Sequence, residues 1–167
     1  MGQPIIGVMG PGEQARPCDL DTAYALGQQI AQAGWIVLTG GRDRGVMEAA
    51  SQGAKAAGGL TIGILPSQDL AHASAAVDIP ILTGLGNGRN IINVLSSQVV
   101  VACGMGAGTA SEIALAVKTG KPVVLLNGTA ASDRFFLELA PALVHIAASV
   151  DRAMHLIRGQ IERNGAA

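Results

Sequence analysis

The residues best suited to chemistry lie in one stretch, residues 99–112, where a valine-rich apolar run leads into glycines, a threonine and a glutamate. Gly104, Gly106 and Gly108 alternate with other residues, which lets the backbone turn tightly and approach a ligand closely. Thr109 is predicted to be the N-cap of the helix that follows. A helix that opens after a glycine turn presents free N–H groups and the positive end of its dipole. The stretch therefore predicts a site for a phosphorylated small molecule.

The spacing leaves two interpretations of Glu112 open. In residues 109–112 the glutamate is placed to reach back to the backbone of Thr109, as in a capping box, and this requires no function. In the alternative, Glu112 is a carboxylate beside the ligand that acts as a base or holds a sugar hydroxyl. Spacing alone favours the capping box.

A second glycine turn, residues 40–45, carries two arginines ahead of a predicted helix. The guanidinium groups of Arg42 and Arg44 suit bidentate contacts with phosphate. The alternative, of about equal weight, is a solvated turn in which these arginines pair with Asp43 or Glu48.

Arg89 follows a third glycine turn and is predicted to lie in the first turn of its helix. A cation there opposes the helix dipole, so the position requires an anionic partner. That partner is either a phosphate or Glu112. Asn87 and Asn90 flank Arg89 as further hydrogen-bond donors.

A fourth turn, residues 10–15, fits the dinucleotide-binding pattern G-x-G-x-x-G/A after the first predicted strand. Two features argue against a standard NAD site. The next helix is predicted to begin near Asp19 rather than at the glycines, and residues 39–41 replace the acidic residue that would hold a ribose. The turn is either a loop that contacts a phosphate or base, or an ordinary loop.

Alternating strands and helices must position these turns. Strands are predicted over residues 4–9, 35–39, 60–65, 77–82, 99–103, 122–126 and 143–147. Helices are predicted between Asp19 and Gly34, over 46–57, 89–97, 110–119 and 133–139, and in a terminal segment with an apolar face from Val150 to Ile161. This alternation predicts an α/β fold, a Rossmann-like doubly wound parallel sheet with helices on both faces. All four turns then follow strands, at the sheet edge where such folds bind ligands.

Composition narrows the class of protein. The 167 residues suit a single domain spanning 1–167. A net charge of −1 and only 2% aromatic residues argue against a nucleic acid polymer as partner. With 49% hydrophobic and 14% charged residues, the chain is apolar enough to predict a buried subunit interface.

Targeting and metal signals are weak. No apolar run approaches the length of a membrane span and the N-terminus lacks a signal-peptide pattern, so we expect a cytoplasmic protein without membrane contact. Cys18 and Cys103 show no metal-binding spacing, and no metal site is predicted.

The combined motifs are more specific than any one turn. Gly40-Gly41-x-x-x-Gly45-Val46-Met47, an Arg-led helix, Gly104-x-Gly106-x-Gly108-Thr109-x-x-Glu112 and Gly120-Lys121-Pro122-Val123-Val124 resemble the LOG-like Rossmann family over about residues 5–126. Its enzymes hydrolyse nucleoside 5′-monophosphates to a free base and ribose 5-phosphate. Within the family, the chain is most similar to the bacterial and algal group that includes molybdenum cofactor carrier proteins. Those bind the pterin cofactor and protect it from oxidation without turnover.

The sequence departs from the motif of the enzymes, Pro-Gly-Gly-x-Gly-Thr-x-x-Glu, at two points. It lacks the proline, and Met105 replaces a glycine, which is expected to narrow or reshape the pocket. The enzymes also carry an Arg-Lys pair that Arg89 matches, but Asn90 stands in the place of the lysine. The resemblance makes Arg89 and Glu112 the catalytic residues if the protein is a hydrolase. The departures agree better with a carrier.

We therefore expect a carrier protein that binds molybdenum cofactor (molybdopterin), with hydrolysis of an AMP-like nucleotide as the alternative and nucleotide-controlled assembly as a third hypothesis. The resemblance implies a homo-oligomer, a dimer or tetramer, and the candidate protein partners are molybdoenzymes or cofactor-synthesis proteins. The residues expected to contact the phosphorylated ligand lie at the glycine turns: Gly10, Gly12, Gly40, Gly41, Arg42, Arg89, Asn90, Gly104, Met105, Gly106, Ala107, Gly108, Thr109 and Glu112.

Overall fold

The computed structural model describes residues 2–165, which contain one seven-stranded sheet with helices on both faces. All neighbouring strands are parallel, in the order β4-β3-β2-β1-β5-β6-β7. The strands are β1 (Ile5–Met9), β2 (Ile36–Thr39), β3 (Thr61–Leu65), β4 (Ile79–Leu82), β5 (Val99–Cys103), β6 (Val123–Leu126) and β7 (Val144–Ile146). The predicted α/β Rossmann-like fold is confirmed.

Six α-helices connect or follow the strands. They are α1 (Pro17–Gln32), α2 (Gly45–Ala56), α3 (Asn90–Ser96), α4 (Ala107–Lys118), α5 (Ala130–Leu139) and α6 (Val150–Gly165), and a 3-10 turn (Gly86–Arg89) precedes α3. None of the helices within residues 2–165 is long and apolar enough to cross a membrane.

The central strand β5 shows why the apolar run is continuous rather than alternating. Val99, Val101 and Cys103 pack into a core on the face covered by α1, α2 and α6. Val100 and Ala102 pack into the core on the opposite face, which α3, α4 and α5 cover. A strand buried on both faces has no position for a polar side chain, and all five residues of β5 are buried.

The predicted start of α1 at Asp19 is wrong. The helix begins at Pro17, whose missing N–H and fixed φ suit the first helical position. Asp19 therefore lies in the first turn. Its carboxylate accepts a hydrogen bond of 3.0 Å from the backbone N–H of Arg16 and two more, of 3.0 and 2.8 Å, from the Arg16 guanidinium. At the other end the prediction holds, because Gly34 follows the C-cap with φ +76°.

The predicted N-cap at Thr109 is also wrong. Gly106 is the N-cap, with an extended backbone (φ −154°, ψ 171°), and α4 begins at Ala107. Thr109 is thus the third helical residue. The capping box with Glu112 is excluded by this register, since a glutamate at that distance from Gly106 lies in the second turn.

Candidate functional site

A cavity of about 410 Å³ lies at the carboxyl ends of β1, β2 and β5. Residues 10–14 form one of its walls, residues 106–109 form a second, and a third comes from the turn after β2: Gly40, Arg42 and Arg44. Asn87, Arg89 and Asn90 close the cavity from the side of α3. The chain winds outward from β1 in both directions, to β2 on one side and β5 on the other. This reversal point is where parallel α/β sheets open a crevice for ligands.

The first turn of α4 forms one wall of the cavity. Gly106 provides no side-chain cap. The N–H groups of Ala107, Gly108 and Thr109 precede Ala110, whose N–H is the first to donate within the helix, to the carbonyl of Gly106 over 2.8 Å. The Thr109 hydroxyl oxygen is buried and has no hydrogen-bond partner within residues 2–163. Unsatisfied donors of this kind at a helix N-terminus suit an anion.

Arg89 approaches the cavity from the 3-10 turn, one residue before α3 and not within it as predicted. Its guanidinium donates to the backbone carbonyls of Gly40 and Ile64, at the ends of β2 and β3. A side chain at residue 40 would collide with this guanidinium, so the glycine there makes room for the arginine. Burial lowers the pKa of Arg89, the charge of Glu112 opposes this, and Arg42 adds to the lowering.

Of the two partners left open for Arg89, Glu112 forms no ion pair with it within 4.0 Å. Arg89 thus brings a positive charge to the cavity whose direct protein partners are neutral carbonyls and the Met47 sulfur, 4.0 Å from Nη2. Such a charge is the counterpart that an anionic ligand needs.

Glu112 lines the cavity from the second turn of α4 and is only 7% exposed. Its Oε1 accepts a hydrogen bond of 2.7 Å from Nδ2 of Asn93, a fully buried residue of α3. Burial raises the pKa of Glu112 to about 7, against the smaller lowering effects of the Asn93 hydrogen bond and the Arg89 charge. The carboxyl group is therefore poised to titrate near neutral pH.

The two arginines of the turn after β2 differ. Arg44 pairs with Glu13 from the turn after β1, and also with Asp43 over 3.4 Å. This agrees with the solvated-turn alternative for Arg44. Arg42 lines the same cavity and makes no ion pair within the described part of the chain. Arg42 therefore keeps its charge for a ligand.

Most predicted contact residues line the cavity: Gly10, Gly12, Gly40, Arg42, Arg89, Asn90, Gly106, Ala107, Gly108, Thr109 and Glu112. Asn90 also joins α3 to α4, through a 2.7 Å hydrogen bond to the Ser111 hydroxyl. These residues come from four separate turns, which the parallel sheet brings to one edge.

Gly41, Gly104 and Met105 do not line the cavity. Gly41 has φ +76° and lies against Gly63 of β3, so its role is to let the turn pass close to the sheet. Gly104 has φ +78° and lies against the carboxylate of Asp19. Met105 is half-buried and packs against the core on the face of α3, α4 and α5, and its effect on the shape of the pocket stays a prediction.

The predicted contact residues did not include three apolar residues that line the cavity, Met9, Pro11 and Met47. Met9 is the last residue of β1 and Met47 is the third of α2. Each adjoins a glycine turn, and that adjacency is the signal that could have identified them. Among the described residues, no cluster of three or more histidine, cysteine, aspartate or glutamate side chains could hold a metal ion.

Two solved structures are similar to this chain over nearly its full length. A solved structure of the molybdenum cofactor binding protein from the phototrophic bacterium Rippkaea orientalis is 61% identical, with a TM-score of 0.95, covering 96% of this chain and 99% of that one. A structure of the Moco carrier protein from Chlamydomonas reinhardtii is 53% identical, with a TM-score of 0.93 and coverage of 97% and 99%.

A more distant relative and a family profile extend the comparison. An uncharacterised protein of Archaeoglobus fulgidus is 47% identical over 126 residues, 73% of this chain and 79% of that protein. The profile of the SLOG cluster4 family matches residues 3–154, which is most of the chain. The chain belongs to the SLOG cluster4 family, a LOG-like family.

Proposed function

We propose that this protein is a carrier that binds molybdenum cofactor, a phosphorylated pterin, in the cavity at the carboxyl ends of β1, β2 and β5. Two proteins that are 53% and 61% identical over nearly the full chain are described as molybdenum cofactor carrier or binding proteins, which supports this ligand. A cavity of about 410 Å³ suits a single small cofactor.

The first turn of α4 carries the proposal. Free N–H groups at residues 107–109, the unpartnered hydroxyl of Thr109 and the dipole of a twelve-residue helix together suit the phosphate of the ligand. Arg89 and Arg42 also line the cavity and add positive charge to it. The phosphate end of the ligand is therefore assigned to this turn.

The pterin end is assigned to the other side of the cavity. The turn after β1 offers backbone groups at Gly10 and Gly12 that suit the polar edge of a planar ring, because backbone amides donate and accept in fixed positions. Met9 and Met47 supply polarizable apolar surface for its faces.

Equilibrium binding of isolated molybdenum cofactor to the purified protein tests the proposal. We expect saturable binding, with weaker competition by inorganic phosphate alone, because phosphate fills only one end of the cavity. Folded protein with no measurable affinity at roughly tens of micromolar, about −6 kcal/mol, would overturn it. We expect the variant Thr109→Val, which removes the hydroxyl at the first turn of α4, to weaken this binding. Thr119→Val, which removes a hydroxyl at the far end of α4, is its matched control.

A second candidate, a nucleoside 5′-monophosphate phosphoribohydrolase, is favoured by one observation. Glu112, with a pKa of about 7, and Arg89 share one cavity, and a carboxyl that titrates near neutral pH suits general acid–base catalysis. Incubation with AMP decides between the two. A carrier releases no adenine or ribose 5-phosphate, whereas a hydrolase releases both and loses this activity in Glu112→Gln.

We also infer a homo-oligomer, a dimer or tetramer. Edge strand β4 exposes all four of its residues, including Ile79, Ile81 and Leu82, and Leu85 beside it is 56% exposed. Contiguous apolar surface of this kind is typical of subunit contacts. Analytical sedimentation tests the inference, and a monomer at micromolar concentration would contradict it.

A further inference from the structure

Glu112 is the one cavity-lining carboxyl group that is buried and lacks a cationic contact. Glu13, the other carboxylate in the cavity lining, is exposed and pairs with Arg44. Glu112 has no ion pair within 4.0 Å among the described residues, and Arg89 beside it donates to backbone carbonyls instead. Burying a carboxylate without a countercharge is costly, so the neutral acid is the favoured form here.

The side chain that holds Glu112 supports the same conclusion. Asn93 is fully buried and donates through Nδ2 to Glu112, yet its own Oδ1 is buried without a partner among the described residues. A carboxylate offers Asn93 only acceptors, which leaves Oδ1 unsatisfied. A neutral carboxylic acid adds an O–H donor to this pair, and that donor is able to serve the amide oxygen or a ligand.

The charged groups around Glu112 come from three elements. Arg89 faces it from the 3-10 turn, Arg42 and Arg44 line the cavity from the turn after β2, and Glu13 lines it from the turn after β1. Of these, only Arg89 shifts the Glu112 pKa, and its lowering effect is smaller than the raising effect of burial. An anion bound at the first turn of α4 would bring a further negative charge close to Glu112, which further disfavours the carboxylate form.

Taking the proposed phosphorylated ligand as the occupant, we propose that Glu112 enters the complex as a neutral acid that donates its proton in a hydrogen bond to an oxygen or nitrogen of the ligand. When the free protein holds Glu112 as a carboxylate, one proton passes from solvent to the carboxyl group on binding. No bond within the ligand breaks. Glu112 is thereby a specificity residue. As a neutral acid it selects a ligand with a hydrogen-bond acceptor at this position, and it adds no carboxylate charge to that of Glu13 in the cavity.

Isothermal titration calorimetry of the full chain tests this, with AMP as the probe above pH 8, where its phosphate keeps one charge state. Buffers of different ionisation enthalpy report the number of protons taken up on binding. We expect uptake approaching one proton in the wild type and an affinity that falls about tenfold per pH unit. Glu112→Gln supplies a permanent neutral donor, so we expect it to bind without proton uptake and without this pH dependence.

Two controls separate this inference from the proposed function. Glu13→Gln removes the other cavity carboxylate, and we expect it to keep the proton uptake of the wild type. A titration of the ligand-free protein, followed through the ¹³C carboxyl signals of glutamate with Glu112→Gln for assignment, reports Glu112 directly. AMP binding without proton uptake, or a Glu112 that titrates like an exposed glutamate, overturns the inference while the ligand site stands. A Glu112 that titrates near neutral pH without any AMP or cofactor binding overturns the proposed function instead, and the ligand contact with it.

Discussion

The N-terminal ends of α1 and α4 lie at the same edge of the sheet but are stabilised in opposite ways. Each helix carries a buried carboxyl group within its first two turns, Asp19 in α1 and Glu112 in α4, and has an arginine nearby. In α1, Arg16 contacts Asp19 directly and the helix end is satisfied by the chain itself. In α4, Gly106 gives no cap and Arg89 does not contact Glu112. Only the second of these helix ends lines the cavity.

As a result, the pKa values of the two carboxyl groups are shifted in opposite directions. Burial alone would raise the pKa of Asp19, but hydrogen bonds from Arg16 and its charge outweigh burial and hold this pKa below its usual range. The same burial at Glu112 meets weaker opposition and raises its pKa to about 7. The carboxylate of Asp19 therefore stabilises the fold, whereas the carboxyl group of Glu112 and the uncapped end of α4 face the cavity and are available to a ligand.

The largest effect we expect is on the pH dependence of stability through Glu112. The unfolded chain loses this proton near pH 4.5 and the folded chain near pH 7. Between these values the folded state binds more protons, so the free energy of unfolding falls as pH rises, by about 3 kcal/mol in total. Glu112→Gln lacks this loss and should be more stable than the wild type above pH 7. Urea unfolding at pH 5, 7 and 8.5 measures the difference.

The control for this prediction is another glutamate of the cavity lining. Glu13→Gln removes a charge that is exposed and paired, so the fall in stability between pH 5 and 8.5 should persist in that variant. A constant stability difference between Glu112→Gln and the wild type over this range would show that Glu112 is not perturbed, and the contrast with Asp19 would disappear.

Replacing the buried carboxylate of Asp19 should lower the free energy of unfolding by about 2 kcal/mol, because Asp19→Asn weakens charge-assisted hydrogen bonds to a buried acceptor. The sign of its pH dependence is opposite to that of Glu112. Asp19 has a lowered pKa in the folded state, so its contribution is present above its unfolded pKa and is lost as pH falls through the folded value. The wild type and Asp19→Asn should therefore converge in acid, as measured by thermal unfolding.

Asp21, exposed on the same helix, is the matched control. Asp21→Asn should change stability by less than about 0.5 kcal/mol. Cofactor or AMP affinity should stay unchanged in folded Asp19→Asn, since Asp19 does not line the cavity. A tenfold loss of affinity in this variant would mean that the capped helix end also serves the ligand.

The arginines give the next test. Arg89→Met should weaken binding of AMP or cofactor at least about tenfold, since a charge-assisted contact is worth roughly 1.5 kcal/mol or more. Arg16→Met should reduce stability and leave affinity unchanged, because Arg16 contacts Asp19 and Asn127 rather than the cavity. Titration calorimetry on both variants measures the contrast. Equal losses of affinity would contradict the division between a structural and a ligand-directed arginine.

Sequence reasoning succeeded where burial sets the pattern. Strands such as β5 are buried on both faces and read as continuous apolar runs, so their order along the chain and the parallel sheet could be predicted. Helix starts were harder, because the local signals compete. Helix α1 begins at Pro17 rather than after an N-cap at Asp19, and the N-cap of α4 is the extended Gly106 rather than Thr109.

The site could be located from its glycine turns but not assembled from them. The contacts of Arg89 with Gly40 and Ile64 span 49 and 25 residues of chain, and that of Glu112 with Asn93 spans 19. Such partners depend on how the turns meet across the sheet edge, which spacing within one motif does not encode. Met105 illustrates the converse, since this residue of the glycine motif is half-buried against the core and is not among the residues that line the cavity.

The smallest effect on stability is expected at Thr109, whose unpaired hydroxyl distinguishes the end of α4 from the capped end of α1 among the described residues. Thr109→Val replaces a buried hydroxyl that has no hydrogen-bond partner among the described residues by a methyl group of similar size, so the free energy of unfolding should rise or stay within about 1 kcal/mol. Affinity for a phosphorylated ligand should nevertheless fall about fivefold, because one donor to the ligand is lost. Thr119→Val, whose hydroxyl bonds the carbonyl of Leu115 at the other end of α4, should leave affinity unchanged. Unaltered binding by Thr109→Val, measured alongside its unfolding curve, would mean that the open end of α4 is no more a ligand site than the closed end of α1.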